Sequence, residues 1–79
     1  MFYVYAIISK VNNRIYVGMT SNIDKRLHEH NTGRTRSTKH YRPWVLFFTE
    51  PCESRSDART REKYWKSGTG KEQLKTMSR

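Results

Sequence analysis

The chain is poor in what a disulfide-stapled or membrane-spanning protein relies on. Its one cysteine, Cys52, has no partner for an internal disulfide and fits a reducing compartment. No apolar run comes near the ~20 residues that cross a bilayer. The apolar start Phe2-Tyr3-Val4-Tyr5-Ala6-Ile7-Ile8 has no basic leader before it. It is therefore expected to be structure rather than a signal peptide, with the cytoplasm as location. No internal repeat or low-complexity segment is visible. Acids are scarce: seven Asp and Glu stand against sixteen Lys and Arg, a net charge of +9. That field favours a polyanion, and a phosphate backbone is the commonest one in a cell.

What is present must fit one core. Seventy-nine residues make a single domain, 1–79. A chain this short buries only about 60% of its unfolded surface. Five tyrosines, three phenylalanines and two tryptophans supply most of that core; Trp44 and Trp65 are most simply part of it.

Phe2 to Ile8 is β-branched and aromatic and reads as a strand. Asn12-Asn13 signals a turn, and Arg14 to Gly18 reads as a second strand. With Asn12 and Asn13 as a two-residue hairpin turn, Ser9 faces Tyr16, Ile8 faces Val17 and Tyr5 faces Thr20. Alternation then puts Phe2, Val4, Ala6, Ile8, Ile15 and Val17 on one face, and Tyr3, Tyr5 and Tyr16 on the other. Thr20, Ser21 and Asn22 are N-cap types, and Ile23 and Leu27 begin an apolar stripe. A helix is expected over Asn22–Asn31, stopped by Gly33. Arg26 and His30, four apart, stack along the edge of that stripe.

Thr32 to Arg42 reads as a basic loop carrying Arg34, Arg36, Lys39, His40 and Arg42. Pro43 to Thr49 reads as a strand buried on both faces, or nearly so, and ended by Pro51. Ser54 and Asp57 have capping-box spacing for a helix running to about Ser67, closed by Gly68 and Gly70. Its inward stripe is Ala58, Glu62 and Trp65, and a carboxylate there is costly without a partner. Lys71 to Met77 adds a short last helix, with Leu74 and Met77 touching the core.

Three polar groups thus stand where packing alone would not put them: the strand tyrosines, Arg26 and Glu62. Cleaving a phosphodiester takes a nucleophilic water, a base and positive charge on the developing oxyanion. One carboxylate can anchor a hydrated Mg²⁺, which keeps most of its waters. Arginine grips two phosphate oxygens at once. Plainer roles exist for each: cross-strand packing for Tyr5 and Tyr16, a surface pair with Glu29 or Asp24 for Arg26, and pairing with Arg59 or Lys66 for Glu62. His28, His30, His40 and Cys52 fit no standard zinc spacing.

The ordered set Tyr3-Val4-Tyr5, Tyr16-Val17-Gly18, Arg26, His30-Asn31-Thr32-Gly33 and Arg61-Glu62-Lys63 resembles the GIY-YIG nuclease family, in its small stand-alone branch. The resemblance covers nearly the whole chain. It implies an α/β (α+β) fold, a three-stranded antiparallel sheet with the first strand central, flanked by two to three helices in the order β-β-α-β-α-(α). It also implies a divalent-metal-dependent endonuclease, with Mg²⁺ or Mn²⁺ as cofactor. DNA is expected as substrate ahead of RNA, in a setting of DNA repair or recombination, and cut with little intrinsic sequence specificity because the chain carries no added DNA-reading module. Carried over by position, Tyr5 and Tyr16 are the motif tyrosines, one acting as base or positioning water. Arg26 binds phosphate, His30 hydrogen-bonds into the site, and Glu62 is the single metal ligand. Arg34, Arg36, Lys39, Arg42 and Lys66 are the expected nucleic-acid contacts. Two departures are Tyr3 in place of the first motif glycine, and the lack of an asparagine after Glu62. The alternative is a nucleic-acid-binding module of the same fold with little or no turnover. A subunit docking on an acidic protein or on ribosomal RNA is a third reading. The catalytic reading requires Glu62 to meet the hairpin phenols in one cationic hollow.

Overall fold

The computed structural model describes residues 1–78. Strand β1 (Phe2–Ser9) is central, paired antiparallel with β2 (Ile15–Thr20) on one side and β3 (Trp44–Cys52) on the other, in the order β2-β1-β3. The hairpin faces are those expected, but the register is not. Tyr5 pairs with Gly18, Ala6 with Val17 and Ile8 with Ile15, two residues away from the pairing a two-residue turn would give. The reason lies in the loop. Ser9 N donates to Arg14 O at 2.9 Å and Asn13 N to Ser9 O at 3.0 Å, so four residues, Lys10 to Asn13, make the turn. The Ser9 hydroxyl caps it by accepting from Val11 N and Asn12 N. Asn13 takes φ 61°, a left-handed conformation that asparagine tolerates. Two extra residues slide the strands but leave each side chain on its face, because the strand period is two.

Strand β3 departs further from expectation. It is an edge strand and is half-exposed; Val45, Thr49 and Pro51 face solvent. It runs through Pro51 to Cys52, since a proline without an N–H is tolerated on an edge. A bulge breaks its pairing with β1: Ala6 faces Phe48 but Ile7 faces Leu46, leaving Phe47 unpaired. The extra residue switches faces. Trp44 and Leu46 lie with Tyr5, Ile7 and Tyr16, whereas Phe47, Phe48 and Cys52 lie with Val4, Ala6 and Val17.

Each face has its own helical cover. Helix α1 (Ile23–Asn31) is capped by Asn22 Oδ1, which accepts from Lys25 N at 3.1 Å. It lays Leu27 on the tyrosine side. Its end is turned by Gly33 at φ +82°. Helix α2 (Arg55–Lys66), capped by Ser54, lays Ala58 and Trp65 on the opposite side, with Trp65 4.7 Å from Phe48 between ring centres. The following glycines do not close α2. Ser67 ends it and at once caps α3 (Gly68–Met77), its hydroxyl accepting from Gly70 N. Leu74 is fully buried, but Met77 is exposed, contrary to expectation. The basic stretch is not all loop either, for Lys39–Tyr41 forms a 3-10 turn. None of the described helices is long and apolar enough to cross a membrane.

Gly70 has no room for a side chain. A Cβ there would lie 2.6 Å from Trp65 Cα and collide with the Tyr64 carbonyl. Gly70→Ala should therefore loosen α3 and destabilise the protein by about 1–3 kcal/mol, read as a lower thermal midpoint. An unchanged midpoint would mean that α3 adds nothing to stability.

Candidate active site

Tyr5, Tyr16 and Leu27 meet on one face of the sheet, the tyrosine face, and His30 joins them from α1. Tyr5 is almost wholly buried, and its ring lies across Gly18. A Cβ at Gly18 would come 2.6 Å from the phenol oxygen, so the cross-strand glycine is what lets the ring lie flat. The Tyr5 hydroxyl is 2.8 Å from His30 Nε2. His30 is fully buried, and its Nδ1 lies 2.8 Å from Thr38 Oγ1. Tyr16 is half-exposed and sits edge-on to the His30 ring at 5.0 Å, with the Tyr5 ring 6.4 Å away. Trp44 closes the cluster 6.5 Å from Tyr16; its indole N–H donates to Thr38 O. Asn31 holds the β3 entry by taking both backbone groups of Trp44, accepting from N and donating to O.

Arg26 stands at the solvent side of this cluster and donates to Glu29 at 3.0 Å. Its side chain is about a third exposed. Burial works against its charge, but the Glu29 carboxylate and the Tyr5 phenol beside it more than offset that. A polar recess of about 320 Å³, lined by Thr20, Ser21, Asn22, Lys25, Arg26 and Glu29, opens next to the guanidinium. A larger one, about 500 Å³, lies away from the phenols, by the hairpin loop and α3, between Ile8, Arg14, Ile15 and Lys71.

The environment sorts the titrating groups. Burial pushes the Tyr5 phenol up to about 12; Arg26 pulls against this, and Tyr16 and Glu62 add to the rise. Burial pushes His30 down to about 4, helped by the charge of Arg26 and opposed by Glu29. At neutral pH both therefore carry no charge, as buried groups that bond only each other and a hydroxyl should.

Glu62 is the exception to the gathering. It lies on the inward stripe of α2, as its spacing predicts, with only 14% of its side chain exposed. But α2 covers the opposite face, that of Val4, Ala6 and Val17, while the phenols stand on the tyrosine face. Its carboxylate is held by Arg59 at 3.7 Å and Lys66 at 3.4 Å, the plainer partners that spacing already offered. No hydrogen bond joins it to Tyr5, Tyr16, Arg26 or His30 among the described residues. Its link to the cluster is through charge, felt at Tyr5. The single hollow expected to hold Glu62 together with the phenols is therefore not formed on one face: the stripe position says that the residue packs inward, and α2 packs on the other side of the sheet. Among the described residues, no three His, Cys, Asp or Glu side chains come together as a metal cluster.

The basic segment divides as well. Arg34 and Arg36 are exposed, and Lys39 is half-buried. Arg42 folds back, its Nε donating to Lys39 O at 2.7 Å and its guanidinium lying over Gly33. Lys66 belongs to α2 and joins Glu62, not the segment. Sequence reading missed Thr38, which has no periodicity to mark it. It also missed Glu50, which accepts two bonds from Arg61 and one from Trp65 Nε1 and so fastens α2 to β3. Arg61, foremost, and Trp65 hold the Glu50 carboxyl below its usual range despite burial.

Three antiparallel strands with the first central, flanked by three helices, are the α+β fold of a GIY-YIG domain. The family model for the GIY-YIG catalytic domain matches residues 1–76, and the chain belongs to that family. Its relatives are small UPF0213 proteins. It is 38% identical over 76 residues to UPF0213 protein SH2523 of Staphylococcus haemolyticus, covering 95% of this chain and 92% of that one. It is 39% identical over 79 residues to a UPF0213 protein of Syntrophus aciditrophicus, covering 98% and 79%. The solution NMR structure of UPF0213 protein BH0048 from Bacillus halodurans is similar at TM-score 0.57 and 31% identity, over 98% of this chain and 85% of that one.

The buried imidazole makes stability depend on pH. Unfolded, it takes a proton below about 6.5; folded, only near 4. Between these values the unfolded state binds more protons, so stability falls as the pH drops through that window, by at most about 3 kcal/mol. Denaturation at pH 7.5, 6 and 4.5 should show this loss, and His30→Gln should flatten it. A wild-type curve level down to pH 4.5 would mean that His30 is not buried neutral.

Proposed function

We propose that this protein is a divalent-metal-dependent endonuclease that hydrolyses phosphodiester bonds of DNA with little sequence preference of its own, in DNA repair or recombination. The carrying observation is the joining of Tyr5, Tyr16, His30 and Arg26 on one face of a +9 chain. Family membership over residues 1–76 supports it. DNA is the substrate in this reading, and the cytoplasm the location.

The donor set fits one kind of metal. Glu62 offers a single carboxylate, with no ligand cluster among the described residues, which suits Mg²⁺ or Mn²⁺, ions that keep most of their waters. Such an ion, when bound, would supply charge that offsets the negative charge building on the phosphate. It must compete with Arg59 and Lys66 for the carboxylate.

The protein's own groups have separable tasks. Arg26, beside the polar recess, grips non-bridging phosphate oxygens. Tyr5, held protonated by burial, is unsuited to be the base. Tyr16, the half-exposed phenol, is the one left to act as base: with its own proton given up to solvent, its phenolate takes a proton from the water that attacks phosphorus as the P–O bond to the leaving group breaks. His30 fixes Tyr5. Arg34, Arg36, Lys39 and Arg42 supply backbone contacts, which position a duplex without reading its bases.

One observation favours a second reading, a binding module with little turnover: α2 covers the other face, and Glu62 already has two partners. The two readings part on one variant. In Mg²⁺ the protein should nick supercoiled plasmid, and EDTA or Glu62→Gln should abolish nicking while DNA binding persists. Nicking that survives Glu62→Gln would end the metal assignment. Binding by a wild type that never nicks would leave only the module. Arg26→Ala should remove most activity with little change in melting temperature; a large drop would make Arg26 structural. Affinity should fall steeply with salt, and alanine at Arg34, Arg36, Lys39 or Arg42 should weaken it in small steps that each reduce the salt slope by about one.

A further inference from the structure

Thr38 is out of place in its surroundings. It belongs to the most basic stretch of the chain, yet it is completely buried, alone in the segment from Thr32 to Arg42. Its backbone is held at both groups: the Trp44 indole donates to its carbonyl at 2.8 Å, and its N–H donates to Thr35 O at 3.1 Å. Its hydroxyl is 2.8 Å from His30 Nδ1 and 3.4 Å from Thr35 O.

Hydrogen counting along this line has one complete solution. A neutral imidazole carries one N–H. With that hydrogen on Nδ1, it donates to Thr38 Oγ1. The Thr38 hydrogen then goes to Thr35 O, and Nε2 accepts the Tyr5 hydrogen. Every hydrogen has an acceptor. With the hydrogen on Nε2 instead, Thr38 must donate to Nδ1. The Tyr5 hydrogen is then left without an acceptor in a buried place, because among the described residues no hydrogen-bond acceptor but His30 reaches the Tyr5 hydroxyl. An unmet buried hydroxyl costs about 1–3 kcal/mol.

We propose that Thr38 is a positioning residue for the reaction on the tyrosine face. It gives the His30 Nδ1–H its buried acceptor, so that Nε2 is left to take the Tyr5 hydrogen and turns the lone pairs of the phenol oxygen toward Arg26. The guanidinium faces that oxygen. Its aim at a phosphate is thereby set from three residues away, through Tyr5 and His30. The same threonine fastens the basic segment beneath the site. Strand contacts at Arg34, Arg36 and Lys39 and the orientation of Arg26 are therefore referred to one buried hydroxyl. The link to catalysis rests on the nuclease reading; the tautomer does not.

Long-range ¹⁵N–¹H correlation spectra of the full chain at pH 7 read the tautomer directly. The wild type should show His30 protonated on Nδ1, with Nε2 bare. Thr38→Val should leave the Nδ1 hydrogen without its acceptor, seen as an upfield shift and faster solvent exchange of that proton, and Thr38→Ser should restore both. In plasmid nicking, Thr38→Val should lower kcat by up to about a hundredfold with KM little changed, and Thr38→Ser should recover it. A wild type protonated on Nε2 overturns the proposal whether or not the valine variant folds. So does a folded Thr38→Val whose Nδ1 hydrogen is unshifted, or one whose shift leaves kcat unchanged. Should the wild type fail to nick while the Nδ1 hydrogen responds as described, the nuclease reading falls and the hold of Thr38 on His30 stands.

Discussion

The bond between the Tyr5 hydroxyl and His30 Nε2, 2.8 Å long and sealed from water, is the constraint around which this small domain is arranged. A phenol and an imidazole buried in so short a chain must satisfy each other, because no solvent does it for them. The bond ties the central strand to α1, and both neighbours accommodate it. Gly18 gives up a side chain so that the ring can lie across β2. Thr38 turns inward from a segment otherwise given to solvent. Low polarity around the pair suppresses ionisation of both members, so the centre of the face is neutral while its rim, at Arg26 and the basic segment, is charged.

The sheet separates two kinds of packing. One face is apolar at its centre: Val4, Ala6, Val17, Phe48 and Trp65 meet Ala58 and Leu74. The tyrosine face mixes Ile7, Leu27 and Leu46 with the phenols, the imidazole and an indole whose N–H is engaged. A chain that buries so little surface relies on the first face for stability, and can accommodate polar groups on the second. Glu50 bridges the two layers. Its carboxylate takes Arg61 in a two-pronged grip together with the Trp65 indole, and it sets the rotation of α2 next to Glu62.

The parts of this architecture with local causes were legible in the sequence. Alternation sorted Tyr3, Tyr5 and Tyr16 from Val4, Ala6 and Val17, and Asn22, Gly33 and Ser54 marked helix ends by their own chemistry. The parts decided by partners distant in sequence were not. The hairpin slid by two because the Ser9 hydroxyl, seemingly an ordinary strand residue, organises a wider turn. β3 seemed fully buried because Phe47 and Phe48 follow one another, when a bulge lets two successive rings serve one face. Ser67 serves two helices at once, which turned expected stop signals into the first turn of α3. For the site, the hairpin and α1 residues fall together because short connections leave them little choice. Glu62 lies on the far layer because the inward stripe of a helix says that it packs, not which side of the sheet it packs against.

The bulge at Phe47 also bears on how such a chain can change over time. The bulge carries one residue more than β1 requires, so its loss would restore strict alternation with Trp44 still among the phenols and Glu50 still facing Arg61, at the expense of one ring on the opposite face. A second deletion would exchange the sides of everything beyond it. Descendants of this sequence can therefore shorten this strand by one residue and no further. The tolerance for insertions falls to the exposed hairpin tip, where added residues in pairs only slide the strands and leave both faces intact.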